Sequence, residues 1–164
     1  MHQRPLYTSK DSTQTLREGL AEYYALNPHI TVPSTQPPSF GKILEAHDVG
    51  HVIYGCDTGM FDELRLLPLF WWTSACTFQR FRELRRQNTA AVDVMYDDMI
   101  REKGALWLYG EIIRVIPPLI PELVTLWLKT RNHQKRLPFF DFQPLLDRSL
   151  HSIRQEFDLL PLIK

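Results

Sequence analysis

The chain has 164 residues, of which 44% are hydrophobic and 23% charged, the balance of a single globular domain long enough to bury a core. Lys plus Arg and Asp plus Glu each number 19, so no net charge is available to draw nucleic acid. The basic cluster Arg80, Arg82, Arg85 and Arg86 is interrupted by Glu83 and reads as a solvated helix face; nucleic acid is not an expected partner.

The opening MHQRPLYTSKDST has no apolar run, so no secretory signal is expected. A first helix is predicted over about 12–26, with Thr15 and Glu18 at capping-box spacing. It stops before a loop carrying Pro33, Pro37 and Pro38. A second helix is predicted over 39–54 and ends at Gly55, a normal C-terminal cap. The segment Gly55-Cys56-Asp57-Thr58-Gly59 is a tight connection, and a third helix resumes near Met60 and ends or kinks before Pro68. Further helices are expected at about 69–87, 90–116, 119–130 and 142–158. The last is opened by Asp141 as N-cap and Pro144 in its first turn, with Leu146, Leu150, Ile153 and Phe157 on one face. No alternating apolar and polar run predicts a strand. The fold class is therefore all-α, a single-domain bundle of about seven helices over residues 1–164. Residues 1–38 supply the N-terminal helix and the Pro-rich loop.

Ala105–Leu128 has the length of a membrane span but contains Glu111, Arg114, Glu122, Pro117, Pro118 and Pro121. A span needs about 20 mostly uncharged residues, so two amphipathic helices broken at the prolines are expected instead. Cys56 and Cys76 form no C-x-x-C pair, which fits a reducing, intracellular compartment.

The chemistry concentrates in Glu45-Ala46-His47-Asp48-Val49-Gly50-His51. At about 100° per residue, His47 and His51 stand one turn apart on one face, with Asp48 beside them. Eleven residues separate His51 from Glu63, and the Gly55–Gly59 turn lets the third helix return so that Glu63 faces the histidines. Two imidazoles with one or two carboxylates suit a divalent metal, zinc first, with iron or magnesium as alternatives. An H-x-x-x-H spacing alone is a weak signal. The neighbouring Asp48, the glycine turn and the returning acid sharpen it, and the pattern sits in an apolar stretch where unpaired polar groups are costly.

The series His47-Asp48-x-x-His51-x11-Glu63 resembles the signature of the coenzyme Q (ubiquinone) biosynthesis family called Coq-four. The ending Leu150-His151-Ser152-Ile153-Arg154-Gln155-Glu156-Phe157 is also similar to that family's L-x-x-x-R-x-E-[FL] helix. The likeness covers about residues 40–162. The family's arginine-rich stretch before the motif is replaced here by Phe40–Leu44, and its G-L-P segment by Leu67-Pro68-Leu69. The resemblance implies an all-helical domain with zinc on His47, Asp48, His51 and Glu63. It also implies a lyase that removes the C1 carboxyl of a polyprenylated hydroxybenzoate, or a scaffold of the biosynthetic complex. Glu63 is then a ligand or the catalytic group that returns a proton. The implied partners are the polyprenylated aromatic substrate or another isoprenoid lipid, further quinone-biosynthesis proteins and a second copy of the chain. The implied location is the cytoplasm, with peripheral contact to the inner membrane.

Two other readings start from the same residues. His47-Asp48-Val49-Gly50 also resembles the H-D-x-G element of HD-type metal phosphohydrolases, with His29 and one of Asp93, Asp97 or Asp98 completing the ligands. A non-catalytic isoprenoid-lipid binder with a purely structural metal is the third. Phe70, Trp71, Trp72, Phe78 and Phe81 read either as core or as one wall of a channel for a polyprenyl tail. Trp107, Tyr109, Ile112, Ile113, Ile116 and Trp127 would form the other wall. Lipid contact is expected at Trp71, Trp72, Trp107 and Ile113. Cys56 is expected to be a free thiol, and His133 an exposed loop residue.

Overall fold

The computed structural model describes residues 4–89, 93, 97, 100, 101 and 103–164. Six α-helices lie among them: α1 Leu16–Leu26, α2 Pro38–Tyr54, α3 Met60–Thr73, α4 Phe78–Gln87, α5 Ala105–Thr130 and α6 Leu150–Glu156. Four short 3-10 turns accompany them, and the described residues contain no strand, only the isolated bridges Thr15–Ser149 and Ser74–Leu137. The all-α class stands, with one helix fewer among the described residues than expected. No helix among them is long and apolar enough to cross a membrane.

Helix α1 starts where its capping chemistry puts it. The Thr15 hydroxyl accepts from the Glu18 N–H, and the Glu18 carboxylate accepts from the Thr15 N–H, so two of the orphan donors at the helix start are paired. The Leu16 and Arg17 N–H groups donate to Arg148 and Leu146 carbonyls, while Leu150 and His151 donate to Gln14 and Ser12 carbonyls. The starts of α1 and α6 thus satisfy each other, and this explains why α6 is shorter than the predicted 142–158. The Leu146 and Arg148 carbonyls are committed to α1, so the apolar run passes through a 3-10 turn at Gln143–Leu145, and Ser149, not Asp141, caps α6.

The prolines inside α3 and α5 mark no boundary, which corrects the breaks expected at Pro68 and at Pro117–Pro121. Helix α3 runs through Pro68 and α5 through Pro117, Pro118 and Pro121. Each proline removes one i→i−4 bond. In α5 the freed carbonyls belong to Ile113, Arg114 and Pro117, all exposed, so water can donate to them in place of the missing N–H. Meanwhile Leu108, Val115, Leu119 and Leu126 are buried on the opposite side, and that packing holds the helix whole. The predicted 69–87 helix is instead divided at 74–77. The Thr73 and Ser74 hydroxyls donate back to the Leu69 and Phe70 carbonyls, and Leu137 exchanges backbone bonds with Thr73 and Ala75. Local side-chain bonds of this kind compete with helix continuation.

Helix α2 is the centre of the domain. From Ala46 to Tyr54 every residue but His47 is buried, against α1, α3, α6 and the N-terminal segment. Its C-terminus is closed twice. Gly55 takes a left-handed conformation (φ 64°), and the Cys56 N–H reaches the His51 carbonyl at 2.9 Å; a residue with a Cβ is disfavoured at that φ. The wholly buried Arg154 then donates to the Val52 and Ile53 carbonyls at 2.9 and 2.8 Å, and to the Tyr7 and Ser9 carbonyls. Burial lowers the guanidinium to about 10, yet it stays charged and faces the negative end of the α2 dipole.

Replacing Arg154 with Met preserves bulk but orphans these buried carbonyls. We expect Arg154→Met to lose about 3–5 kcal/mol of stability in urea denaturation; a loss below about 1 kcal/mol would show that water or a shifted side chain replaces the guanidinium.

Candidate metal centre

The α2–Gly55–α3 reversal brings together the residues the sequence singled out. The donor atoms of His47, His51 and Glu63 all lie within 4.8 Å of one another. His47 Nε2 is 3.1 Å from Glu63 Oε2, and His51 Nε2 is 3.2 Å from Glu63 Oε1. The imidazole centroids are 4.6 Å apart and nearly edge to face. Glu63 is held by its own turn. Asp57 accepts the Gly59 N–H and Asp62 the Asp57 N–H, and Thr58 Oγ1 donates to Asn27 at the end of α1. Gly50 lets the helices close. A Cβ there would sit 2.3 Å from the Phe70 ring.

The donor set fits a metal ion. Two donors around a tetrahedral ion at about 2.1 Å lie about 3.4 Å apart, close to the spacings found here. His51 carries the stronger sign. Its ring is wholly buried, both of its nitrogens lack a hydrogen-bond partner, and the approach to Glu63 is off-line for one. A buried imidazole left so is costly, and an ion at the cluster would use Nε2. The cluster opens to solvent at one side, since the His47 and Glu63 side chains remain 41% and 33% exposed.

Asp48 does not join that donor set. It is buried, its Oδ2 accepts from the Tyr24 hydroxyl at 2.9 Å, and its Oδ1 lies 3.4 Å from His47 Nδ1. Tyr23, one residue earlier on α1, stacks on His51 with centroids 5.4 Å apart. Both tyrosines escaped the sequence reading. Their signal was an adjacent aromatic pair ending the helix that precedes the motif, a pattern that core packing produces equally well.

No family model, curated protein or solved structure matches this chain.

The other expected residues fall elsewhere. His29, Asp93 and Asp97 are exposed and outside the cluster, and Asp98 lies outside the described residues. Cys56 is a buried free thiol, pushed up to about 12 by burial, and receives an N–H from the buried Arg65 at 3.2 Å. His133 is half-buried, with Nε2 shielded, rather than exposed. Phe70 belongs to the core beside Tyr54. Trp71 and Trp72 line a shallow apolar groove of about 570 Å³ with Leu64, Pro68, Leu123, Val124 and Trp127. Trp107 and Ile113 are not part of it; they stand on the exposed side of α5, with Leu106, Tyr109, Ile120 and Leu128.

Without an ion the cluster is an ion pair. Burial opposes a charge on His47, but Asp48 and Glu63 outweigh it and raise the imidazole to about 9. Burial opposes ionisation of Glu63, and the two imidazoles outweigh that and lower it to about 2. The raised His47 contributes stability below about 6.5 that is lost as pH rises through 9; the lowered Glu63 contributes stability above about 4.5 that is lost as pH falls through 2. Metal-free protein should therefore be less stable at pH 9.5 than at pH 6, by about 1 kcal/mol after allowing for solvent screening of the exposed His47. Urea denaturation of chelator-treated protein and of His47→Ala measures this. An equal loss in both would place the effect elsewhere.

Proposed function

We propose that the chain is a metalloprotein of the Coq-four kind, acting in ubiquinone biosynthesis to remove the C1 carboxyl of a polyprenylated hydroxybenzoate. The observation that carries the reading is the convergence of His47, His51 and Glu63 in the order and spacing of that family's motif, with one side open. The three residues would hold a divalent metal, zinc by the donor chemistry. When bound, it would stabilise the negative charge that develops as the carbon–carboxyl bond breaks and carbon dioxide leaves. Glu63 sits between the imidazoles as an ionised group, which favours its role as ligand over that of proton donor. The ring carbon then takes its proton from solvent at the open side.

An open position favours an enzyme over a scaffold with a closed structural site. The phosphohydrolase reading is weaker, because it needs His29 and an aspartate that do not approach the cluster. The apolar groove beside Leu64 and the exposed apolar side of α5 support an isoprenoid tail and peripheral contact with a membrane surface.

Protein purified without added metal should hold one divalent ion by elemental analysis, and lose it on His47→Ala or His51→Ala but not on His29→Ala. It should release labelled carbon dioxide from carboxyl-labelled polyprenyl hydroxybenzoate. Metal without carbon dioxide release would leave the structural-metal reading; loss of metal on His29→Ala would favour the phosphohydrolase. For the membrane contact, the protein should sediment with liposomes and do so less after Trp71→Ser with Trp72→Ser. Indifference to vesicles would return those rings to packing alone.

A further inference from the structure

The resemblance gives Asp48 to the metal, but the geometry gives it another task. Adjacent residues on a helix diverge by about 100°, and the Asp48 carboxylate meets the His47 ring at Nδ1, while Nε2 faces Glu63. The two nitrogens of His47 are thereby divided between an acceptor and the donor cluster. An imidazole binds a metal through its unprotonated nitrogen, so an acceptor at Nδ1 decides which nitrogen is free. The second oxygen of Asp48 is taken by the Tyr24 hydroxyl at 2.9 Å, and Asp48 is only 5% exposed, so that hydroxyl is its remaining restraint. One residue away, the Tyr23 ring lies nearly parallel to His51, at 24°, where no hydrogen bond holds either nitrogen.

We infer that Tyr24 and Asp48 are positioning residues, which hold His47 with its proton on Nδ1 and its Nε2 lone pair toward the ion, and that the protein donors are three: His47, His51 and Glu63. The inference rests on the metal reading above. It makes the end of α1 part of the centre: Tyr23 stacks on one imidazole, and Tyr24 restrains the other through Asp48. It also leaves a coordination position to an exchangeable ligand such as water or a substrate oxygen, on the side where His47 and Glu63 are exposed.

The test uses the full chain loaded with cobalt(II) or zinc. Tyr24→Phe keeps the ring and removes only the hydroxyl; it should retain one ion per chain and an unchanged cobalt(II) visible spectrum, but bind about tenfold more weakly. Asp48→Asn should likewise keep stoichiometry and spectrum, with affinity reduced about 10- to 100-fold. Because Tyr24 acts through Asp48, the double variant should bind no more weakly than Asp48→Asn, within about twofold. A changed cobalt(II) spectrum or lost stoichiometry in Asp48→Asn would make Asp48 a ligand and overturn the inference. So would an unaltered affinity in Tyr24→Phe, or fully additive losses in the double variant. If the unsubstituted protein bound neither ion, the metal reading itself would fall, and the inference with it.

Discussion

Carbonyl oxygens from two stretches of the chain converge on one buried guanidinium. Arg154 gathers the Tyr7 and Ser9 carbonyls from the N-terminal segment and the Val52 and Ile53 carbonyls from the last turn of α2. A buried cation without a carboxylate is ordinarily costly. Here the unsatisfied carbonyls of a helix end supply both the acceptors and the negative end of a dipole. The consequence reaches the cluster of His47, His51 and Glu63. With the end of α2 anchored, the chain turns at Gly55, and Asp57 and Asp62 close the turn so that Glu63 arrives opposite His47 and His51. A second buried arginine, Arg65, works from the other side of the same turn. It reaches Cys56, Glu122 of α5 and the Leu162 carbonyl.

The parts of the fold legible in the sequence are those decided by local chemistry. The Thr15–Glu18 box and the Gly55 terminus need only a few neighbouring residues, and both stand as read. The proline boundaries failed because a proline's cost depends on who inherits the freed carbonyl. In α5 that is solvent, while the buried side goes on packing against α3. The break at 74–77 depends on Leu137, more than sixty residues away, and no window around Ser74 contains that partner. The cluster divides in the same way. His47, His51 and Glu63 follow from helical spacing plus one turn. Which way Asp48 points depends on Tyr24, which a different helix supplies.

The ion pair in the cluster and the proposed metal compete for the same groups. In the metal-free protein a proton on His47 supplies the positive charge that Glu63 needs. An ion must displace that proton, so occupancy and pH are linked. His51 gains most from an ion, since its buried ring meets Glu63 only off-line and makes no well-aligned hydrogen bond. The exposed His47 can satisfy itself with Asp48 and water. The two histidines of one motif are therefore unequal: His51 is buried and held only by an off-line approach to Glu63, while His47 is half-exposed and shared between Asp48 and Glu63.

Helix α3 carries the link between this centre and the rest of the proposed activity. Glu63 faces the histidines, while Leu64, Pro68, Trp71 and Trp72 turn toward α5 and line the apolar groove. The step from residue 63 to 64 rotates the side chain by about 100°, so the polar centre and the apolar surface occupy neighbouring faces of one helix. Helix α5 completes that surface with Leu123, Val124 and Trp127, and Ile113 and Ile120 extend the Val124–Trp127 stripe along its exposed side, opposite the buried Leu108, Val115, Leu119 and Leu126. A helix with apolar residues on both its inner and outer sides is expected to meet something other than water on the second. A substrate with a carboxylated ring and a long isoprenoid tail has the same division. Its head needs charge stabilisation, its tail needs an apolar track, and the two must lie within a helix width of each other. The apolar groove is not lined by His47, His51 or Glu63. On the proposed reading the ring therefore approaches the cluster from its open, solvent-facing side, with the tail laid along α3.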